Sequence, residues 1–198
     1  LKKLASTMEL PLRRSRIEML AEIKNAFTEY EDYKKSKIDK YKKYGRLGNK
    51  GKEGITYLVK TKKGTEYAMK TFRKKKSTDT LIKEYNFQKK AAVCGISPYV
   101  VENDTVSKYI VMEKMDSHLF ECIEKQKGHL TRAQQKRIIE IFTTLDECRI
   151  FHGDANMTNY MIKDKQIYII DFGFAKEINT KFIQQLGTNK PNMQTSCT

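Results

Sequence analysis

"FHGDANMTNY", residues 151–160, sets a His, an Asp and an Asn within eight positions, with Gly153 directly before Asp154. "DFGF" begins eleven residues after that stretch, so that Asp171 precedes Phe172 and Gly173. Between the two lies "YMIKDKQIYII", which reads as a hairpin. Upstream, "TRAQQKRIIEIFTTLDECRI" reads as a long helix capped by Thr131. Its periodicity places Ile138, Ile139, Ile141, Phe142 and Leu145 on the core side. The quoted stretch is therefore a loop between a helix and a hairpin.

Working outward toward the N-terminus, "KYIVMEKM" reads as a buried strand running into a connection. "STDTLIKEYNFQKKAAVCG" reads as a helix, capped by Ser77, Thr78 or Asp79 and ended by Gly95. Before it, "ITYLVK" and "EYAMKTF" form two strands around the turn "TKKG". Gly48, Gly51 and Gly54 precede the first of these strands. Glycines so spaced let backbone N–H groups approach an anion closely. Lys70 ends "YAMK" on the second strand, and Glu84 follows it by 14 residues on the helix. A strand ammonium paired with a helix carboxylate can be held fixed against phosphate oxygens. Residues 12–44 read as one further helix, on the recurrence of Ile17, Leu20, Ala21, Ile23, Ala26 and Phe27. Its later part, "YEDYKKSKIDKYKKY", suits either nucleic-acid contact or a solvated helix packing its tyrosines on a neighbouring lobe. The final "LGTNKPNMQTSCT" reads as loop.

Composition bounds these readings. Of 198 residues, 39% are hydrophobic, enough for a globular core rather than a disordered chain. The net charge of +15 favours acidic partners: nucleotide phosphates, nucleic acid, acidic protein surfaces or anionic lipid. No apolar run reaches the roughly 20 residues that span a bilayer. The basic N-terminus lacks the apolar stretch of a signal peptide, and the chain begins at Leu, as a fragment would. Cys94, Cys122, Cys148 and Cys197 show no metal-ligand spacing and read as reduced thiols of an intracellular protein, cytoplasmic or nuclear.

The order of glycine loop, "YAMK", helix Glu84, "HGDANMTN" and "DFG" resembles the protein-kinase-like superfamily, over residues 44 to 180. That resemblance implies a two-lobed α+β fold. A helical extension (1–43) would precede a small antiparallel-sheet N-lobe (44–115) and a reduced, mostly helical C-lobe (116–198). It implies ATP and Mg²⁺ as cofactors, and transfer of the γ-phosphate to a hydroxyl. Asp154 would orient the acceptor and take its proton, Asn159 and Asp171 would hold Mg²⁺, and Lys70 would contact the phosphates with Glu84 behind it. Gly48, Gly51 and Gly54 would form the loop over the phosphates. Ala68 and Met161 would sandwich the adenine, whose edge the backbone of Glu113 to Met115 would bind. His152 would be structural.

Departures from that pattern narrow the reading. The glycine loop is G-x-x-G-x-x-G where the family usually has G-x-G-x-x-G. Gly153 replaces the Arg that clamps a phosphorylated activation loop, so switching of that kind is not expected. "HGD" resembles the small kinase subunit of the KEOPS tRNA-modification complex, the casein-kinase-one and vaccinia-related kinases, and the aminoglycoside and choline kinases; a virus-encoded kinase fits equally. Asn156 stands where Ser/Thr kinases place a Lys on the transferred phosphate. Only 25 residues follow Gly173, with no Ala-Pro-Glu motif. A shortened lobe would leave apolar surface for a partner or a second copy to cover. The leading expectation is a serine/threonine protein kinase. The alternatives are a KEOPS-like ATPase or small-molecule kinase, and a pseudokinase scaffold.

Overall fold

The computed structural model describes residues 16–38, 40–48 and 54–196. The chain falls into two units, Leu1–Lys42 and Lys43–Thr198. In the first, α1 (Arg16–Ile38) carries Leu20, Phe27 and Tyr30 exposed along its length, and the Phe27 and Tyr30 rings lie 6.5 Å apart. The expected helix of residues 12–44 is shorter. Residues 12–15 lie outside the described residues, and Tyr41–Arg46 is strand β1. "YKKYGR" carries no breaker before Gly45, so helical periodicity ran on through it. Pairing with the next strand decides its state.

The second unit starts from a five-stranded sheet in the order β1-β2-β3-β5-β4. Its strands are β2 (Gly54–Thr61), β3 (Glu66–Phe72), β4 (Val100–Asp104) and β5 (Tyr109–Glu113). β2 and β3 are antiparallel around the "TKKG" turn, where Gly64 sits at φ +83° and its N–H bonds the Thr61 carbonyl. The two-residue period of a strand puts Ala68 and Lys70 on one face, opposite Met112 and Ile110 of β5. α2 (Thr78–Val93) starts at Ser77, whose hydroxyl accepts the Thr80 N–H. Leu81, Glu84, Gln88 and Ala91 are buried along one stripe, so a carboxylate lies among core positions. Ala68, Phe72, Leu81, Val100, Ile110 and Met112 pack together beneath the sheet.

A second cluster holds the rest. It joins Ala91 and Ile96 to Leu119, Ile141, Leu145, Ile150, Tyr160, Ile169 and Phe172. Each fully buried Leu or Ile here contributes about 1.5–3 kcal/mol of transfer free energy. The elements are β6 (Ser117–His118), α3 (Leu119–Lys125), α4 (Arg132–Glu147), β7 (Ile150–Phe151), a 3₁₀ turn (Met157–Asn159), β8 (Tyr160–Lys163), β9 (Gln166–Ile169), β10 (Lys176–Glu177), α5 (Thr180–Leu186) and α6 (Pro191–Ser196). α4 opens with a reciprocal capping box between Thr131 and Gln134. Ile141, Phe142 and Leu145 are buried as expected, Ile138 packs against the cluster, and Ile139 instead faces solvent at 53% exposure.

Two further expectations are corrected. The tail read as loop forms α6 over Pro191–Ser196. Pro191 suits a first helical position, where its missing N–H has no intrahelical partner to lose. The cysteines are not all reduced: Cys94 and Cys148 form a disulfide, while Cys122 is a free thiol. Each bonded cysteine is the C-cap of its helix, α2 or α4, so tertiary packing rather than sequence spacing brings them together. No helix among the described residues is long and apolar enough to cross a membrane.

Candidate active site

The catalytic-loop candidate is built on a buried histidine. His152 is fully buried, its Nδ1 accepts the Asp154 N–H, and its Nε2 lies 3.1 Å from the Ile170 carbonyl. A ring that accepts at Nδ1 must carry its proton at Nε2, so it is the neutral tautomer that donates to Ile170. Burial pushes its pKa below the usual value, only partly offset by the Ile170 hydrogen bond and the nearby Asp171 and Asp154 charges. Phe172 packs edge-on against the ring, with centroids 4.9 Å apart. The histidine thus ties the Asp154 loop to the segment ending at Asp171.

This carries a stability consequence. A histidine whose folded pKa is depressed takes a proton more readily when unfolded. Its contribution is therefore complete above the unfolded value of about 6.5 and is lost as pH falls below it. We expect the melting temperature to fall between pH 7 and 5, and His152→Gln to remove that part of the fall. A His152→Gln profile as steep as wild type would refute it.

Gly153 sits at φ +78°, and a Cβ built on it would lie 2.7 Å from the Phe174 carbonyl oxygen. Glycine is required there by backbone geometry as well as by space. Beyond it, Asp154 receives two amide donors: Asn156 Nδ2 on Oδ1 at 2.8 Å and Asn159 Nδ2 on Oδ2 at 3.0 Å. Asn159 Nδ2 also reaches the Asp154 carbonyl at 2.7 Å, while Asn156 Oδ1 accepts the Thr158 N–H and caps the 3₁₀ turn. With both amide nitrogens turned to Asp154, the carboxylate is held in one orientation. The Ile170 N–H bonds the Asn159 carbonyl, which sets Asp171 beside the same loop.

Lys70 connects the sheet to this loop. Its ammonium lies 2.6 Å from Glu84 Oε1 and 2.8 Å from Asp171 Oδ1. Burial alone would lower the Lys70 pKa, yet the Glu84 and Asp171 charges overcome it and the net shift is upward. For Asp171, burial pushes upward and the Lys70 charge and hydrogen bond outweigh it, leaving the carboxyl below its usual range. Asp171 also holds a left-handed backbone, φ +68°, a conformation costly for a residue with a Cβ.

A cavity of about 250 Å³ opens beside this ion-paired group. Ala68, Lys70, Glu113, Met115, Met161 and Asp171 line it, together with Leu47 and Gly48. The Glu113 N–H is taken by the Tyr99 carbonyl, and the Glu113 carboxylate pairs with Lys163 of β8. Asp154, Glu84 and Asn159 stand outside the cavity wall. Gly54 does not line it either. A Cβ there would lie 2.2 Å from the Thr71 carbonyl oxygen, so strand packing accounts for this glycine. Gly51 lies outside the described residues. A larger groove of about 740 Å³ lies between α2 and residues 176–185 and holds none of the candidate residues.

Sequence reasoning missed Asn192. This buried residue of α6 accepts the His152 N–H at Oδ1 and donates from Nδ2 to the Ile150 carbonyl and to Asp146 Oδ1. Asp146 in turn accepts the backbone N–H groups of Asn192 and Met193. One residue forty positions downstream thus fixes the start of the catalytic-loop candidate against α4. No local pattern signals such a role. Asn192→Ala leaves Asp146 Oδ1 and the Ile150 carbonyl short of donors, and is expected to destabilise the protein by about 2–4 kcal/mol. Denaturant unfolding measures it, and a loss under 1 kcal/mol would contradict the anchoring role.

Residues 41–191 match the family model described as the protein kinase domain. Among curated proteins, the chain is similar to the KEOPS complex subunit Bud32 of Pyrococcus abyssi, at 29% identity over 124 residues. That match covers 62% of this chain and 56% of the relative. It is also similar to a probable bifunctional tRNA threonylcarbamoyladenosine biosynthesis protein of Methanosphaera stadtmanae, at 32% identity over 100 residues, 47% of this chain and 17% of that protein. The chain therefore spans about half the length of the first relative and less than a fifth of the second. Strand order, ion-paired lysine, catalytic-loop candidate and family match agree, and the chain belongs to the protein kinase domain family.

Proposed function

We propose that this chain is an ATP-dependent phosphotransferase whose cavity holds Mg-ATP, with a protein Ser/Thr hydroxyl as the acceptor. The observation that carries this is Lys70 held between Glu84 and Asp171, at 2.6 and 2.8 Å, with Lys70 and Asp171 on the wall of a cavity of about 250 Å³. The adenine fits between Ala68 and Met161, its edge toward the Glu113 carbonyl and the Met115 backbone. Lys70 exchanges Asp171 for the α- and β-phosphates. Of the three glycines read as a phosphate loop, Gly48 lines the cavity and would approach those phosphates.

The donor set suits magnesium. Mg²⁺ keeps several waters and takes one or two protein carboxylates together with substrate phosphates. Asp171 offers the carboxylate. The Asn159 amide, with its nitrogen turned to Asp154, offers its oxygen. When bound, the ion neutralises charge on the phosphate oxygens. Asp154, oriented by Asn156 and Asn159, accepts a hydrogen bond from the nucleophilic O–H and takes its proton. The new P–O bond forms as the bond to the β-phosphate oxygen breaks and ADP leaves.

A second reading has its own support. Asn156 spends its side chain on Asp154 and Thr158, so no cation at that position meets the transferred phosphate. Similarity to a KEOPS complex subunit and to a tRNA threonylcarbamoyladenosine biosynthesis protein favours a partner-bound, tRNA-linked setting, and in this reading water is the nucleophile. The +15 charge favours an acidic partner of either kind. ATP as co-substrate favours an intracellular setting.

Incubation with γ-labelled ATP and Mg²⁺ separates the readings. Label on this protein or on a Ser/Thr substrate supports the kinase reading. Free phosphate without labelled protein supports hydrolysis. Nucleotide binding with neither product, in the presence of tRNA and of an acidic protein substrate, would overturn both in favour of a scaffold.

A further inference from the structure

Glu84 is not held by Lys70 alone. Lys76, in the connection between β3 and α2, places its ammonium 2.5 Å from Glu84 Oε2, on the opposite oxygen from Lys70. Glu84 is 1% exposed and Lys76 8% exposed, so this second pair is as shielded from water as the first. The Phe72 ring sits beside both cations, 4.4 Å from Lys76 Nζ and 5.2 Å from Lys70 Nζ. The connection that carries Lys76 is itself fastened. Lys108, at φ +53°, donates from Nζ to the carbonyls of Lys74 and Lys76, and its own carbonyl accepts the Phe72 N–H. Ser77 then starts α2 directly after Lys76.

The charge arrangement gives Lys76 a function that a single lysine cannot supply. Lys70, Lys76, Glu84 and Asp171 form a neutral set of two cations and two anions. When phosphate draws the Lys70 ammonium toward the cavity, a buried Glu84 with no second cation would lose part of its only compensation. Leaving a buried carboxylate short of its partner is costly. Lys76 keeps Glu84 in place, with Oε1 aimed at Lys70, whichever way Lys70 leans.

From this geometry, and resting on the reading of the cavity as an ATP site, we infer that Lys76 is a positioning residue for phosphate binding. It acts through Glu84 by setting the carboxylate that orients Lys70. Glu84 is the sole link in this account, and that makes the inference testable against mere scaffolding.

The test measures nucleotide affinity by displacement of a fluorescent ATP analogue, and steady-state phosphate release, in wild type, Lys76→Met, Lys76→Arg, Glu84→Gln and the Lys76→Met/Glu84→Gln pair. Lys76→Met is expected to weaken ATP binding and lower kcat/KM about tenfold, mainly through KM. Lys76→Arg should recover most of the loss. In the Glu84→Gln background, Lys76→Met should change little further. Equal losses in both backgrounds, or a loss that follows a lowered melting temperature and is not recovered by Arg, overturn the inference in favour of a structural lysine. Wild-type binding that Lys70→Met abolishes and Lys76→Met leaves intact overturns this inference alone. Absence of nucleotide binding by wild type overturns the functional reading and this inference with it.

Discussion

Asp154→Asn is expected to slow phosphate release or transfer by roughly 10²–10⁴-fold, the usual contribution of a positioned general base. The substitution keeps the shape of the side chain, so the effect isolates the carboxylate. In the native loop both Asp154 oxygens are fixed by amide donors from Asn156 and Asn159. An Asn there presents one N–H₂ group to a donor already in place, losing the proton acceptor and disturbing one of those bonds. Asp154 does not line the cavity, so affinity for the ATP analogue should stay within about threefold of wild type. Single-turnover phosphate release beside equilibrium binding separates the two. Turnover within tenfold of wild type would remove Asp154 from the chemistry. A parallel collapse of binding and turnover would instead assign it to the fold.

Gly153→Arg, which installs the residue most regulated kinases carry before the catalytic Asp, is expected to destabilise the protein rather than add a regulatory contact. A side chain at φ +78° costs about 1–2 kcal/mol on backbone grounds alone. The new Cβ would lie 2.7 Å from the Phe174 carbonyl oxygen and 3.3 Å from its carbonyl carbon. These are backbone atoms, which no rotamer change can move aside. Phe174 itself lies in the segment pinned to the loop by the pairing of β10 with β7 and by the Ile178 N–H on the Arg149 carbonyl. A total near 3 kcal/mol, or a fall in melting temperature of roughly 6–12 °C, follows for a unit of this size. Gly153→Ala should show most of the loss, since Cβ is the atom that collides. An Ala variant melting with wild type would show that the segment after Gly173 yields easily.

Much of the candidate site was legible because its signals are local. "ITYLVK", "TKKG" and "EYAMKTF" contain their own alternation and turn, so the register that puts Ala68 and Lys70 on one face follows from the strand period. Ser77 and Thr131 announce their helices by side-chain oxygens that reach only three residues forward. The resemblance of "HGDANMTN" and "DFG" to the kinase pattern implied a shared chemistry for Asp154, Asn159 and Asp171, and the structure brings the first two into hydrogen-bond contact. Ile139 shows the limit of periodicity. It lies next to the apolar stripe of α4, and only the neighbours packed against that helix decide that it faces water.

What the sequence by itself determined is the set of short-range units: the β2–β3 hairpin, the capped helices and the two acidic loops. These depend on propensity, capping and period, all of which act within a few residues. Tertiary structure alone decided that Tyr41–Arg46 is a strand, that Asn192 holds the catalytic-loop candidate, that Cys94 bonds Cys148, and that Lys76 shares Glu84 with Lys70. Each of these needs a partner that no local pattern names: a neighbouring strand for β1, and single side chains for the other three. Their free energy comes from hydrogen bonds, a covalent bond and charges shielded from water, which exist only once the chain has closed around them.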